Sequence, residues 1–426
     1  MRAAADYLPR RASQLVIEAL QDTRVVVVNG ARQTGKSTLA ELALAGLDDA
    51  RARFLDDPAT RSSAQSDPVR FVRHDGTLLI DEVQRVPDLW LAIKNEVDRD
   101  PRPGRFLLTG SARLLGLASL PDALPGRSET IELWPLSQGE IDSRPDGFVD
   151  AVFARGSQLP TANGVLRRRD YIARALRGGY PESLRREQPR RRARFFENYI
   201  ADLLARDVKQ VAHIERSGDM RRLLSLLAAQ TSGLVNYSRL AGELAITAPT
   251  VKSYVEILET IYLVRLVPAW SANLTTRAVA TPKVMFVDSG LAGFLTAGGT
   301  GDAIVGGLIE NFVLGEIARQ LTWSEISARL FHYRDRDQVE VDAVLEDNGG
   351  NIVGIEVKAS ETARTDDFAG LRHLQQKLGD RFVAGIVLYC GAQTLPFGRD
   401  LVCMPISALW DTPHDHVQDA LANLTA

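Results

Sequence analysis

The first strong pattern along the chain is four consecutive valines, Val25 to Val28, ending in Asn29-Gly30. An uninterrupted β-branched run closed by a turn signal predicts a strand buried on both faces, as in a parallel sheet. Similar short runs recur at Arg53-Phe54-Leu55, Thr77-Leu78-Leu79-Ile80, Arg105-Phe106-Leu107-Leu108 and Thr130-Ile131-Glu132-Leu133, with helix-length stretches between them. This alternation predicts a first domain of α/β class with five strands. The polar stretch from Asp142 to Asn163 carries Pro145, Gly147, Gly156 and Pro160 and marks a domain boundary.

Beyond it the pattern turns helical. Helices are expected around Leu223 to Ala229, from Tyr237 to Leu244, and after Thr247, an N-cap with Pro249 in the first turn. The last two, joined through Ala245-Ile246-Thr247, have helix-turn-helix proportions, and strand-like Leu263 to Val267 and Lys283 to Val287 follow as the wing of a winged helix would. A Gly-rich loop, Gly298 to Gly307, marks the next boundary, followed by a helix from Leu308 to Leu321. Val339 to Leu345 then alternates and turns through Asp347-Asn348-Gly349-Gly350 into Ile352 to Lys358, a hairpin with an Asn-Gly signal. The expected division is an α/β domain over 1–145, a helical and winged-helix region over 165–295 and an α/β domain over 305–426. There is no internal repeat.

A length of 426 residues, 45% of them hydrophobic and 25% charged, is ordinary for two or three globular domains. Fifty-one basic against 54 acidic residues leave a net charge of −3, which gives no ground for general polyanion binding, so any nucleic-acid surface must be local. Such a concentration lies between Arg167 and Asp207, where twelve arginines meet six acidic residues. Two cysteines without a CxxC pattern, no apolar leader in Met1 to Arg11 and no apolar run of about 20 residues predict a soluble cytoplasmic protein without a membrane partner.

Gly30-Ala31-Arg32-Gln33-Thr34-Gly35-Lys36-Ser37 matches G-x-x-x-x-G-K-[ST] directly after the valine strand and before a helical segment from Thr38. Glycines at 30 and 35 let backbone N–H groups curl around a polyphosphate, and the following helix N-terminus favours negative charge. Lys36 is expected on the β- and γ-phosphates and Ser37 on Mg²⁺; the direction of Arg32 is not readable. Leu78-Leu79-Ile80-Asp81-Glu82 delivers two carboxylates at a strand end. Neighbours on a strand face opposite ways, so Asp81 suits Mg²⁺ and Glu82 can polarise a water for attack on the γ-phosphorus. At the end of the next strand, Thr109 and Ser111 offer hydroxyls for that water or for the γ-phosphate, Thr109 being the better placed.

At these residues the chain resembles the AAA-type ATPases. Phe54-Leu55-Asp56-Asp57, Leu79-Ile80-Asp81-Glu82-Val83-Gln84, Leu108-Thr109-Gly110-Ser111, Leu124-Pro125-Gly126-Arg127, Gly178-Gly179-Tyr180-Pro181 and Asp288-Ser289-Gly290-Leu291 resemble bacterial and archaeal AAA-type proteins that carry a C-terminal domain of unknown function. The phosphate contacts are common to ATP and GTP and do not tell them apart; it is the resemblance that implies ATP. It also implies an arginine that neutralises transition-state charge, with Arg127 the candidate ahead of Arg113, and a homo-oligomer in which a neighbour supplies it.

Base readout in a winged helix needs polar and basic residues early in the recognition helix. Lys252, Ser253 and Thr250 qualify, while Glu256 and Glu259 would repel phosphate, so a structural or partner-contacting winged helix is favoured over sequence-specific DNA binding. Arg167 to Arg194 is the better electrostatic footprint for DNA.

In the hairpin, Asp342 and Glu356 fall on neighbouring strands, with Lys358 on the face of Glu356. Two carboxylates and a lysine so placed could hold a second divalent cation and activate water, although hairpins also carry such residues as solvated pairs. Asp-x13-Glu-x-Lys resembles the core of the PD-(D/E)xK nuclease superfamily, and Glu310 matches the acid often supplied by its first helix. The histidines show no shared metal-ligand spacing apart from His414-x-His416, and Cys390 and Cys403 read as core thiols. The resulting expectation is an ATP-hydrolysing AAA-type protein whose nucleotide state controls a winged-helix and nuclease-like module acting on DNA. The alternative is a nucleotide-dependent switch whose C-terminal domain is an inactive binding module for a protein partner.

Overall fold

The computed structural model of the chain describes residues 7–111, 124, 126–160, 164–211, 217–297, 299 and 301–414. They fall into two compact units, residues 1–136 with 207–213 and 260–262, and residues 137–206, 214–259 and 263–426. The central and C-terminal regions expected from the sequence thus share one unit.

In the first unit, β1 (Val25–Asn29), β2 (Arg51–Phe54), β3 (Leu78–Asp81), β4 (Phe106–Gly110) and β5 (Ser128–Glu132) form an all-parallel sheet in the order β2-β3-β4-β1-β5. The valine run shows why both faces are covered. Val25 and Val27 enter a core with Leu78, Ile80, Phe106, Leu108 and the helix Leu89–Arg99, whereas Val26 and Val28 meet Leu79, Leu107 and the helices Ala12–Asp22 and Lys36–Leu44. Alternating side chains of a single strand therefore feed two layers. β2 is an edge strand, and its exposed Arg51 and partly exposed Arg53 suit an edge that must not pair further.

In the second unit, β6 (Val264–Val267) and β7 (Lys283–Phe286) form an antiparallel pair after the helices Ser217–Ala229, Tyr237–Leu244 and Ala248–Thr260. Thr247 caps the last helix, accepting the Thr250 N–H at 3.3 Å. A short helix, Leu274–Val279, lies between β6 and β7. The arginine-rich segment forms the helices Arg168–Arg177, Pro181–Leu184 and Pro189–Val211.

The same unit holds a mixed sheet of β8 (Ala328–Arg334), β9 (Glu340–Asp347), β10 (Ile352–Lys358), β11 (Phe382–Tyr389), β12 (Leu395–Gly398) and β13 (Leu401–Pro405), ordered β12-β13-β11-β10-β9-β8. The β9–β10 hairpin forms as the Asn-Gly signal predicts, while β10 pairs parallel with β11 after the connecting helix Ala369–Leu378. The helix Asp302–Trp323 is buried over much of its length. From it, Asn311 grips the edge of β7. Its amide oxygen accepts the Phe286 N–H at 2.6 Å and its amide nitrogen donates to the Phe286 carbonyl at 3.1 Å, as a neighbouring strand would.

Candidate functional site

The loop from Gly30 to Gly35 rounds the end of β1 into the helix Lys36–Leu44. At Gly30 the backbone runs against Leu133, and a Cβ there would stand 2.2 Å from the Leu133 carbonyl oxygen. Gly35 takes φ +97° at the helix N-terminus, a conformation that side chains rarely adopt. Gln33, at φ 61°, is the exposed turn of the loop, and Ala31 and Thr34 are buried. Arg32, Ser37 and Thr38 are half-buried. Lys36 is buried, and its ammonium donates to the Gly30 and Ala31 carbonyls at 3.0 and 2.8 Å. Arg10 was not singled out in the sequence, yet its guanidinium donates to the Thr34 carbonyl at 2.7 Å and the Trp134 carbonyl at 2.6 Å, fastening the loop to the chain beyond β5. It stands outside the loop's sequence pattern, and no local signal marks it.

The strand order β3-β4-β1 brings the end of β3 beside this loop. Asp81 is buried, and its carboxylate accepts from the hydroxyls of Ser37 and of Thr109, the latter at 2.6 Å. Burial raises the Asp81 pKa above the ordinary carboxylate value, and these two hydrogen bonds draw it back. Thr109 in turn accepts the Glu82 N–H at 3.0 Å, so its hydroxyl proton serves Asp81. The Glu82 carboxylate accepts from Ser111 Oγ at 2.9 Å and from the Gln84 amide. Gln84 was the unrecognised member of this group. Glu82 itself sits in the left-handed region, φ 57° and ψ 47°, an uncommon state for a non-glycine residue and one that clusters at working sites. A hydroxyl and a carboxylate in hydrogen-bond contact next to a phosphate-shaped loop are hard oxygen donors that fit Mg²⁺.

Arg127 lies away from this centre. It precedes β5, its carbonyl accepts the Val25 N–H at the start of β1, and its guanidinium pairs with Asp98 at 2.6 Å. It thus sits at the far end of the strand whose other end carries the loop, roughly 15 Å along five residues of strand. Arg113 lies outside the described residues, as do Pro125, His213 and His416.

The structure brings together all four residues singled out in the C-terminal region and adds a fifth. Lys283, on β7, donates from Nζ to Glu310 Oε1 at 2.7 Å and to Asp342 Oδ1 at 3.2 Å. The β9–β10 pairing reaches Ile355 opposite Ala343, and just beyond it Asp342 Oδ2 takes the Val357 N–H at 2.9 Å in place of a backbone carbonyl. Lys358 Nζ meets Glu356 Oε2 at 3.0 Å, and Glu356 shares a hydrogen bond with Asp342. Burial would lower the Lys283 pKa, but Glu310 and Asp342 outweigh it and hold the ammonium charged. Burial, with the Asp342 charge, pushes Glu310 up to about 8 and raises Glu356 well above its ordinary value. Among the described residues no group of three His, Cys, Asp or Glu side chains is arranged to hold a metal ion. Lys283 was missed because it is 27 residues from Glu310 and 59 from Asp342, too distant for a spacing rule to reach.

On the helix Ala248–Thr260, Lys252, Ser253 and Glu256 are exposed and Thr250 half-buried, while Glu259 accepts the Leu266 N–H at 3.3 Å. One cation and one acid offer little to phosphate. Of the arginines, Arg174 pairs with Asp142 at 2.7 Å, and Arg185 and Arg186 pair with Glu182. Cys390 and Cys403 are buried free thiols, as expected.

Residues 22–142 match the model of an AAA domain. They contain the parallel sheet, the loop and the acidic strand end. This segment is an α/β domain of AAA type with a phosphate-binding loop. Residues 168–301 and 305–409 match two domains of unknown function, DUF8612 and DUF4143. An uncharacterized protein of Mycobacterium tuberculosis and one of Mycobacterium bovis are each 28% identical over 414 residues, which is 95% of this chain and 85% of theirs. Among solved structures, a Walker-type ATPase of Pyrococcus abyssi is similar at 14% identity and a TM-score of 0.40, covering 68% of this chain and 97% of that one. No helix among the described residues is long and apolar enough to cross a membrane.

Proposed function

We propose that the protein binds ATP with Mg²⁺ and hydrolyses it, and that its nucleotide state controls a winged-helix and nuclease-like C-terminal module. The observation that carries this reading is the junction of Ser37, Asp81, Thr109 and Glu82 at the phosphate loop. The loop N–H groups and the helix N-terminus receive phosphate oxygens, and the Lys36 ammonium exchanges its loop carbonyls for them. Mg²⁺, when bound by Ser37 and Asp81, supplies charge neutralisation on the phosphates. Thr109 fixes the Asp81 carboxylate, and Glu82, released from Gln84 and Ser111, takes the proton of the attacking water. Phosphate release by purified protein tests this assignment. It should fall by at least about a hundredfold in Lys36→Ala and Glu82→Gln, and rates unchanged in both variants would refute it.

The three-part division at about 145–165 and 295–305 is supported by the three family models, whose edges fall close to those positions. DNA is the proposed partner of the second unit through its arginine-rich helices. Arg190, Arg191 and Arg194 are exposed at the start of the helix Pro189–Val211 and have no acidic partner among the described residues. A homo-oligomer is proposed because Arg127, remote from its own loop, could serve only the site of a neighbouring copy. The cytoplasm is the proposed location.

A second reading, a nucleotide-dependent switch whose C-terminal module binds a partner without cleaving it, is favoured by one contact. Lys283 lies on two of the carboxylates that a metal-dependent nuclease would need free.

A further inference from the structure

The carboxylates Glu310, Asp342 and Glu356 come from a helix and two strands and meet at one place, and hard oxygen donors gathered in this way suit a divalent cation in chemical type. Each of the three already has a partner within the protein. One oxygen of Glu310 and one of Asp342 lie on the Lys283 ammonium, the second oxygen of Asp342 takes a backbone N–H, and Glu356 is bound to Lys358 and to Asp342.

Lys283 is not a surface lysine that happens to reach inward. Its side chain is 6% exposed, and its backbone is fixed on both sides. The residue pairs with Val267 across β6–β7 and forms a bridge with Leu234 on its other side. Three residues on, the Asn311 clamp on Phe286 ties β7 to the helix that carries Glu310. The ammonium is therefore delivered to the carboxylates by two elements of fixed register. A buried ammonium between two carboxylates is stable only as part of that set, since removing either side leaves an uncompensated charge.

We propose that Lys283 is the resident cation of the Glu310–Asp342–Glu356 cluster, an internal ammonium that bridges Glu310 and Asp342, the latter bound in turn to Glu356, where a metal-dependent enzyme would place a divalent ion. The cluster is thus a folded-in charge network that excludes divalent cations, and removing the lysine creates a cation site. This inference concerns the C-terminal module alone and is independent of nucleotide hydrolysis in the first unit.

The test is Mn²⁺ binding to the full-length, nucleotide-free protein, followed by the electron paramagnetic resonance of free Mn²⁺. Wild-type protein should bind the same amount of Mn²⁺ as Asp342→Asn and as Glu356→Gln, because none is held at the cluster. Lys283→Met should gain a site at least about tenfold tighter than any in the wild type, and adding Asp342→Asn should abolish it. A wild-type Mn²⁺ site lost in Asp342→Asn or Glu356→Gln would overturn the proposal, as would a folded Lys283→Met that gains none. Should Lys283→Met fail to fold, the comparison of wild type with the two carboxylate variants decides by itself.

Discussion

Thr109 donates its hydroxyl proton to Asp81 at 2.6 Å while accepting the Glu82 N–H, so one side chain on β4 fixes both acids at the end of β3. A hydroxyl that supports a metal-binding carboxylate acts on metal affinity more than on the attacking water. Thr109→Val should raise the half-saturating Mg²⁺ concentration for ATP hydrolysis by about ten- to a hundredfold, and Thr109→Ser should restore it. A lower maximal rate at unchanged Mg²⁺ dependence would instead assign Thr109 to the γ-phosphate or the water.

Gly30 admits no side chain, because the obstacle 2.2 Å from its Cβ position is the backbone carbonyl of Leu133. Leu133 is itself bonded from its N–H to the Asn29 carbonyl at 2.6 Å and cannot withdraw cheaply. Gly30→Ala should lower the melting temperature and abolish binding of a fluorescent ATP analogue. The same analogue bound by this variant with wild-type affinity would show that the loop is not the phosphate site.

His332, on β8, is 1% exposed and lies within the fields of Lys283, Arg334 and Asp342. Burial first, then the Lys283 charge, pushes its pKa down from 6.5 to about 4. The folded protein therefore binds this proton less readily than the unfolded chain does. The stability contributed is fully present above 6.5 and is lost as pH falls toward about 4, amounting to a few kcal/mol at most. Denaturant unfolding of wild type and His332→Gln across this range should show the steeper acid loss in the wild type, and parallel curves would exclude His332 as the cause.

The exposed arginines at 190, 191 and 194 form the one basic group for which the DNA reading makes a numerical demand. Replacing all three with alanine should weaken duplex binding for every sequence alike and reduce the salt slope by up to about three. An unchanged slope would direct attention to a protein partner.

Much of the nucleotide-binding fold is legible in local pattern. The valine run, the loop pattern and the acidic strand end each lie within a dozen contiguous residues, and each forms close to where it is expected. The β9–β10 hairpin is readable for the same reason, since its turn and its alternation are adjacent. Arg10 and Lys283 escaped because their roles depend on chain segments 24 or more residues away. The helix Leu274–Val279 escaped differently. None of its residues is buried, so no apolar period marks it. Arg127 marks another limit of local pattern, since its place beside the start of β1, remote from its own loop, follows from strand pairing that the motif around it does not carry.

The bonds of Lys36 to its own loop bear on which ligands it can take. Its charge rests on two carbonyl oxygens of the turn it closes, which tie the lysine to the backbone of its own loop. Any ligand must outcompete neutral dipoles that are already in place. A single weakly charged anion gains little by that exchange, whereas a polyphosphate, with several negative oxygens for the lysine and the helix end together, gains a great deal. Under the proposed reading, exchanging these carbonyls for phosphate oxygens would favour ligands of high charge density over singly charged anions.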